Sequence, residues 1–149
     1  MYGDTTAIRR LARAMRERAD DIRGLADRLA ARADGVRWTG LAADAMRRHA
    51  RDRAVHLRRT ARLHDDAADA LDRHAREVDR LKELIAAVER RALQLVAAAR
   101  DRLADLGRGI VGTVAGLLPD AADQALDRFV PPPHGSMAWL DVDLPGLHR

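Results

Sequence analysis

The residues from Leu41 to Leu106 contain neither proline nor glycine, and this feature most restricts what the chain can fold into. Within this run, residues that are mostly apolar or small recur at alternating steps of three and four, which is the period of one face of an α-helix. The seam that they form consists of Leu57, Thr60, His64, Ala67, Leu71, His74, Val78, Leu81, Ile85, Val88, Ala92, Leu95 and Ala99. One helix over the whole run would be about 100 Å long at about 1.5 Å per residue.

A second long helix is predicted before this run, beginning at a cap in residues 4–6. It is expected to end at Gly35, a glycine that can take the left-handed backbone conformation. Two sets of residues repeat along it every seven positions. The large residues are Ile8, Met15, Ile22, Leu29 and Val36, widened by Leu11 and Leu25, and the small ones are Ala12, Ala19, Ala26 and Ala33. Arg18 and Arg32 interrupt the edge of the large set, and the pattern predicts close packing along the whole helix.

The two helices predict an all-α fold built on a long antiparallel hairpin, but their lengths do not match. At about 30 residues the first helix would reach only about 45 Å. The later helix must therefore bend or break beyond Arg73, or bury the distal part of its seam against something other than the first helix. The candidates are the carboxy-terminal segment of the same chain and a second protein chain.

Glycine and proline return after residue 106. Residues 107–119 carry four glycines and no acidic residue, which indicates a turn or a loosely formed helix. Gly112 and Gly116 have the spacing of contacts between membrane helices, but the apolar run is too short to span a bilayer, and close packing is favoured. The sequence therefore predicts no transmembrane segment.

The remaining residues predict a short third helix and a tail. The helix is expected over residues 120–130, and Pro131 to Pro133 end it. Residues 131–149 show no periodicity and predict an extended, proline-rich tail. The predicted organisation is a helical hairpin over 4–106, a glycine-rich turn with a short helix over 107–130, and the tail over 131–149.

Composition argues against enzymatic chemistry. Cysteine is absent, which excludes disulfides, thiol catalysis and thiolate zinc sites. His49, His56, His64 and His74 lack the one-turn spacing of a helical metal pair, so we predict no metal, no cofactor and no small-molecule substrate. The acidic residues Asp65, Asp66, Asp69 and Asp72 are interpreted as a solvated helix face, because no pocket or nucleophile accompanies them.

Charge is distributed in blocks along the later helix. Residues 41–62 hold seven arginines against two aspartates, whereas residues 63–80 hold six acidic residues against three arginines. Such polarity can set the register or orientation of a partner helix. An arginine-rich block can also contact phosphates, but the lack of lysines and of interleaved aromatic residues disfavours nucleic acid.

The residues between the two long helices carry a family resemblance. Trp38-Thr39-Gly40, placed between two amphipathic helices, resembles the hallmark of the WXG family of type VII secretion proteins. The resemblance implies a helical hairpin turned at Trp38 and Gly40, which pairs with a second WXG-like chain, as a homodimer or heterodimer, into a four-helix bundle. A membrane ATPase of the secretion system would be a further partner. In such a turn the indole can cover the open end of the hairpin, and glycine allows the backbone to reverse.

One element of that family is missing. Its members often carry Tyr-x-x-x-Asp/Glu after the second helix, whereas the only tyrosine here is Tyr2, with Thr6 four positions later. Trp139 and Asp143 have the corresponding spacing and are a candidate export element. Members that lack the signal can rely on a partner for it, which makes a heterodimer a natural expectation.

These observations predict a substrate or accessory protein of a type VII secretion system. The amino terminus shows no apolar core of a signal peptide, so we expect a non-Sec route to the cell envelope or exterior and a cytoplasmic pool before export. Two alternatives stay open. One is an intracellular helical scaffold or a non-specific nucleic-acid-binding protein, and the other is a chaperone-like partner of a larger secreted toxin.

Overall fold

The computed structural model describes residues 4–109 and 120–147, and these residues are mostly helical with no strand among them. The elements in chain order are α1 (Thr5–Asp34), α2 (Leu41–Gly109), α3 (Ala121–Asp127) and a 3-10 helix (Met137–Asp141). The predicted all-α class and both long helices are confirmed.

The chain divides into two compact units, which we call the N-terminal unit (Asp4–Glu77) and the C-terminal unit (from Val78 onward). This division differs from the predicted boundary at residue 106. The physical reason is that α2 changes its packing partner: up to residue 77 it packs on α1, and beyond that it packs on the carboxy-terminal segment.

The ends of α1 have ordinary caps. Asp4 is the N-cap, and its Oδ1 accepts hydrogen bonds from the backbone N–H groups of Thr6 at 3.0 Å and Ala7 at 3.2 Å. Gly35 follows α1 in the right-handed conformation, with φ −76°, so the prediction of a left-handed glycine there is wrong. The positive φ of +109° lies instead at Gly40, directly before α2. The reversal therefore takes place after a short extended segment.

Alanines form the core of the N-terminal unit. Its buried residues are Ala12, Ala19, Ala26 and Ala33 on α1 and Ala43, Ala50, Ala54, Ala61, Ala68 and Ala75 on α2. Side chains this small allow two helices to approach closely, as their interaxial distance depends on the residues at the contact.

The large residues predicted as core lie at its border rather than in it. Leu11 and Leu25 are 48% and 49% exposed, and the others in this unit are partly buried. Those others are Ile8, Met15, Ile22, Leu29, Leu57 and Leu71.

The buried alanines of α1 and α2 form a row along each helix, which we call the alanine row. Ion pairs join α1 to α2 along one side of this row. Arg16 donates to Asp69 at 2.8 Å and to Asp72 at 2.7 Å, and Arg23 pairs with Asp65. Three of the four aspartates interpreted as a solvated face therefore contact α1, which corrects that interpretation.

Two further pairs reverse the polarity, with the acid on α1. Arg58 pairs with Asp27 at 2.7 Å and Arg51 with Asp34 at 2.8 Å. As the α1 residue number rises through the series, the α2 number falls, so the paired residues run in opposite directions. Exposed pairs of this kind contribute at most about 1 kcal/mol each, and their main effect is to fix register.

The C-terminal unit has a conventional apolar core in which the carboxy-terminal segment packs on α2. This core consists of Ile85, Val88, Ala92, Val96, Ala99, Leu126, Trp139 and Leu144, with Leu81 partly buried against it. Val78, at the start of the unit, is also partly buried. The distal part of the α2 seam is thus covered by the chain's own carboxy-terminal residues, the first of the two predicted possibilities.

The segment after α3 is folded onto this core, in contrast to the extended tail that we predicted. Ser136 caps the 3-10 helix by accepting a hydrogen bond from the backbone N–H of Ala138 at 3.2 Å, and Trp139 follows as a buried core residue. The predicted third helix is shorter than expected and ends at Asp127. Residues 110–119, with Gly112 and Gly116, lie outside the described residues. Within the described ranges no helix is long and apolar enough to cross a membrane.

Candidate functional site

The N-terminal unit has two chemically different sides, which follow from helical spacing. Residues three and four positions after a buried alanine lie on opposite sides of the alanine row. The +4 positions include Arg16, Arg23, Arg58, Asp65 and Asp72, which form the interhelix ion pairs; we call this side the polar edge.

The other side, which we call the apolar edge, carries the +3 positions and the large residues next to them. Its apolar members are Ile8, Leu11, Met15, Ile22, Leu25 and Leu29 on α1 and Leu57 and Leu71 on α2. A groove of about 420 Å³ lies on this edge, lined by Leu25, Arg28, Leu29, Arg32 and Leu57. Apolar side chains from both helices therefore share one surface, and alanine packing leaves them partly exposed.

The turn between α1 and α2 exposes an indole. Trp38 is 51% exposed, whereas we expected its ring to cover the end of the helix pair. Leu41, three residues later, is 89% exposed, more than any other large apolar residue that the structure describes. Gly40 has φ +109° and open space where a Cβ would lie, so backbone conformation and not crowding favours glycine there.

Arg47 organises this turn, and sequence reasoning missed it. Its guanidinium donates to the carbonyl oxygens of Val36 at 2.9 Å and Trp38 at 3.0 Å, and to the carboxylate of Asp44 at 3.1 Å. The signal was present in the spacing, because Arg47 lies seven residues before the buried Ala54 and so occupies a core position with a charged residue.

The candidate export element is divided between the core and the surface. Trp139 is 1% exposed, its indole N–H donates to the carbonyl oxygen of Pro133 at 3.0 Å, and its ring lies 6.1 Å from that of Phe129. Asp143 is exposed. While the C-terminal unit is folded, the indole of Trp139 is inaccessible to a recognising protein.

A cleft of about 680 Å³ in the C-terminal unit contains a buried carboxylate. Glu89 accepts hydrogen bonds from Nδ1 of His134 at 2.8 Å and from the backbone N–H of Gly135 at 3.3 Å. The bond from His134 holds the pKa of Glu89 below its usual value, although burial opposes the shift. Glu89 thereby fastens the turn before the 3-10 helix to α2.

The predicted site residues fall into three places. The structure brings Leu25, Leu29 and Leu57 together around one groove, holds Trp38 and Gly40 at the turn, and places Ile85 and Val88 in the core of the C-terminal unit. Among residues 4–109 and 120–147, no group of three or more His, Asp or Glu residues is positioned to hold a metal ion. No model of a known protein family matches the chain, and no curated protein or solved structure does either.

Proposed function

We propose that the chain is a substrate or accessory protein of a type VII secretion system and that it works by binding other proteins through its helices. In this proposal the N-terminal unit is a WXG-like hairpin turned at Trp38 and Gly40, with an extended second helix. Its partners are a second WXG-like chain and the ATPase of the secretion system.

The apolar edge is the observation that carries the proposal. Leu11 and Leu25 are about half exposed, beside a core that consists of alanines. Burying a leucine side chain fully is worth about 1.5–3 kcal/mol, so covering this edge would release substantial free energy. Contiguous exposed apolar surface on a folded unit commonly marks a protein interface.

The turn supports the same proposal from a different direction. Exposed tryptophan is enriched at recognition surfaces because it offers a large apolar face and one donor. Trp38 is exposed on a segment whose backbone is held by Arg47. Since Trp139 is buried, we assign the export signal to the partner and not to the carboxy-terminal segment. Export would then follow a non-Sec route from a cytoplasmic pool.

The test is export of two single variants, Trp38→Ala and Gly40→Ala, from the bacterium that carries the gene. We expect both to accumulate in the cells and to be lost from the secreted fraction, while circular dichroism shows unchanged helical content. Leu41→Ala is the matched control, because it removes an exposed apolar side chain next to the motif. If both motif variants are exported as well as the wild type, the proposal is wrong.

A nucleic-acid-associated scaffold is the second candidate, and one surface favours it. Arg48, Arg59 and Arg62 are exposed on the face of α2 opposite its alanine row, with no ion pair to any described residue. Val55 and Leu63 lie among them, which is poor chemistry for phosphate contact. A gel shift with duplex DNA that weakens steeply with salt would favour this candidate.

A further inference from the structure

The charged residues of the apolar edge are all basic. Its outermost positions repeat every seven residues on each helix. They are Leu11, Arg18, Leu25 and Arg32 on α1 and Met46, Arg53, Thr60, Ala67 and His74 on α2. None of these is acidic, and the inner positions of the edge contain no acid either. Arg18, Arg32 and Arg53 are exposed and make no ion pair with any described residue. At the next position outward on α1, which also repeats every seven residues, Asp21 and Arg28 carry opposite charges that offset each other.

Five acidic residues of this unit lie on its other side. Asp27, Asp34, Asp65, Asp69 and Asp72 all pair with arginines across the two helices on the other side of the unit. The two edges therefore differ in charge. The polar edge is neutralised by its own ion pairs, whereas the apolar edge presents guanidinium groups that pair with no described residue and lie beside leucines.

Two arginines of α1, Arg28 and Arg32, line the groove. Asp34 of α1 pairs with Arg51 of α2. Arg32 is two residues before Asp34, and Arg53 is two residues after Arg51. Because the paired residues of the two helices run in opposite directions, Arg32 and Arg53 lie at the same level. Leu29 and Leu57 also line the groove. A group that enters this groove meets leucine side chains from both helices and guanidinium groups from α1.

We propose that the apolar edge binds a different chain, a helix whose apolar face is flanked by carboxylates, and not a second copy of this protein. The proposal rests on the proposed function and specifies its partner. A second copy would bring arginines against arginines around the leucines, and like charges placed together at an interface disfavour that partner. An acidic helix would satisfy these guanidinium groups with charge-assisted hydrogen bonds.

The spacing of the arginines fits a helical partner. Arg18 and Arg32 are fourteen residues apart on α1, which is about 21 Å at about 1.5 Å per residue. A partner helix with carboxylates repeating at multiples of seven would meet both, since flanking charges at heptad intervals set partner choice in helical bundles. A lipid surface or a DNA duplex has no such repeat.

The test uses the full chain carrying Arg18→Glu, Arg32→Glu and Arg53→Glu as the acidic probe. This variant keeps every apolar residue of the edge and reverses its charge. We expect wild type and variant each to remain at the 16.5 kDa of one chain by analytical ultracentrifugation. Their equimolar mixture should form a complex of twice that mass, with a Kd about tenfold or more below that of either self-association. High salt should weaken the complex.

A matched control reverses the same number of charges away from the edge. Arg48→Glu, Arg59→Glu and Arg62→Glu change the outer face of α2, and this variant should not pair with the wild type. Circular dichroism establishes that each variant is folded. The double variant Arg32→Glu and Arg53→Glu gives the same comparison if the triple variant is unstable.

Three results would overturn the proposal. They are a wild-type dimer that the triple substitution disrupts, a mixture that stays monomeric, and equal pairing by the control variant. Binding of the wild type to phosphatidylglycerol vesicles, lost on reversal of the edge and kept by the control, would assign the edge to an anionic lipid surface instead. Loss of export by the Trp38 and Gly40 variants is a separate readout, so a failed partner proposal is distinguishable from a failed secretion proposal.

Discussion

Arg47 donates a hydrogen bond to the carbonyl oxygen of Trp38 at 3.0 Å, and the same guanidinium nitrogen donates to Val36 at 2.9 Å. One side chain of α2 thus holds the backbone of the segment that presents the indole. We expect Arg47→Ala to lower the free energy of unfolding by about 1.5 kcal/mol, because hydrogen bonds from a charged donor are worth about 1.5–3 kcal/mol. Urea unfolding followed by circular dichroism measures this.

Arg48→Ala is the control for that change, because Arg48 is adjacent, exposed and without an ion pair among the described residues. It should alter stability by less than about 0.5 kcal/mol. Equal effects of the two substitutions would show that Arg47 does not hold the turn.

Gly40, directly before α2, and Gly107, within α2, should respond oppositely to substitution by alanine. At Gly40 the φ of +109° is costly for a residue with a Cβ, so Gly40→Ala should destabilise the protein by about 1–2 kcal/mol. Gly107 lies within α2 with open space around the added Cβ, and Gly107→Ala should stabilise by about 0.5–1 kcal/mol. Denaturant titration of the two variants measures both signs, and a neutral Gly40→Ala would contradict the backbone argument.

The two tryptophans should report opposite environments. Trp38→Phe leaves the buried Trp139 as the only indole, whereas Trp139→Phe leaves the exposed Trp38. The first variant should emit at shorter wavelength and resist acrylamide quenching, and the second should be readily quenched. Trp139→Ala should cost about 3–5 kcal/mol in the C-terminal unit, because it removes the largest fully buried side chain among the described residues. Similar spectra from the two single-tryptophan variants would contradict the folded carboxy-terminal segment.

The sequence predicts the two long helices well because their repeats are long and strongly periodic. It does not predict which of the two repeats, the large residues or the alanines, faces the other long helix of the chain. In the N-terminal unit, large residues and alanines both recur every seven positions, and hydrophobicity alone favours the large set as core. The structure buries Ala54, Ala61, Ala68 and Ala75 and leaves Leu57 at the border, since close approach of the helices depends on small side chains.

Beyond residue 77 the predicted seam matches the burial, with Ile85, Val88, Ala92 and Ala99 in the core. Two features there could not be predicted. The position of Trp139 depends on contacts with residues about 40 to 55 positions earlier in the chain, which no local period reveals. Glu89 continues the alanine repeat of α2 as a charged residue, and only the hydrogen bonds from the His134 turn explain how it is buried.

That buried carboxylate predicts a pH dependence with a definite sign. The pKa of Glu89 in the folded state is lowered from 4.5, first by the hydrogen bond from His134. The unfolded chain therefore binds this proton more readily, so the stabilisation is present above about pH 4.5 and is lost as the pH falls through the lower, folded value. Glu89→Gln should reduce the loss of stability of the C-terminal unit below about pH 4.5, measured by Trp139 fluorescence in the Trp38→Phe background.

Asp123 supplies the control for this prediction, because Arg102 also lowers the pKa of its carboxyl group within the same unit. Asp123→Asn should remove a separate part of the acid sensitivity, and the double variant should be the least sensitive of the set. His134→Ala should resemble Glu89→Gln in its pH profile, because it removes the donor that lowers the Glu89 pKa. An acid profile unchanged by either Glu89→Gln or His134→Ala would show that this hydrogen bond does not fasten the carboxy-terminal segment to α2.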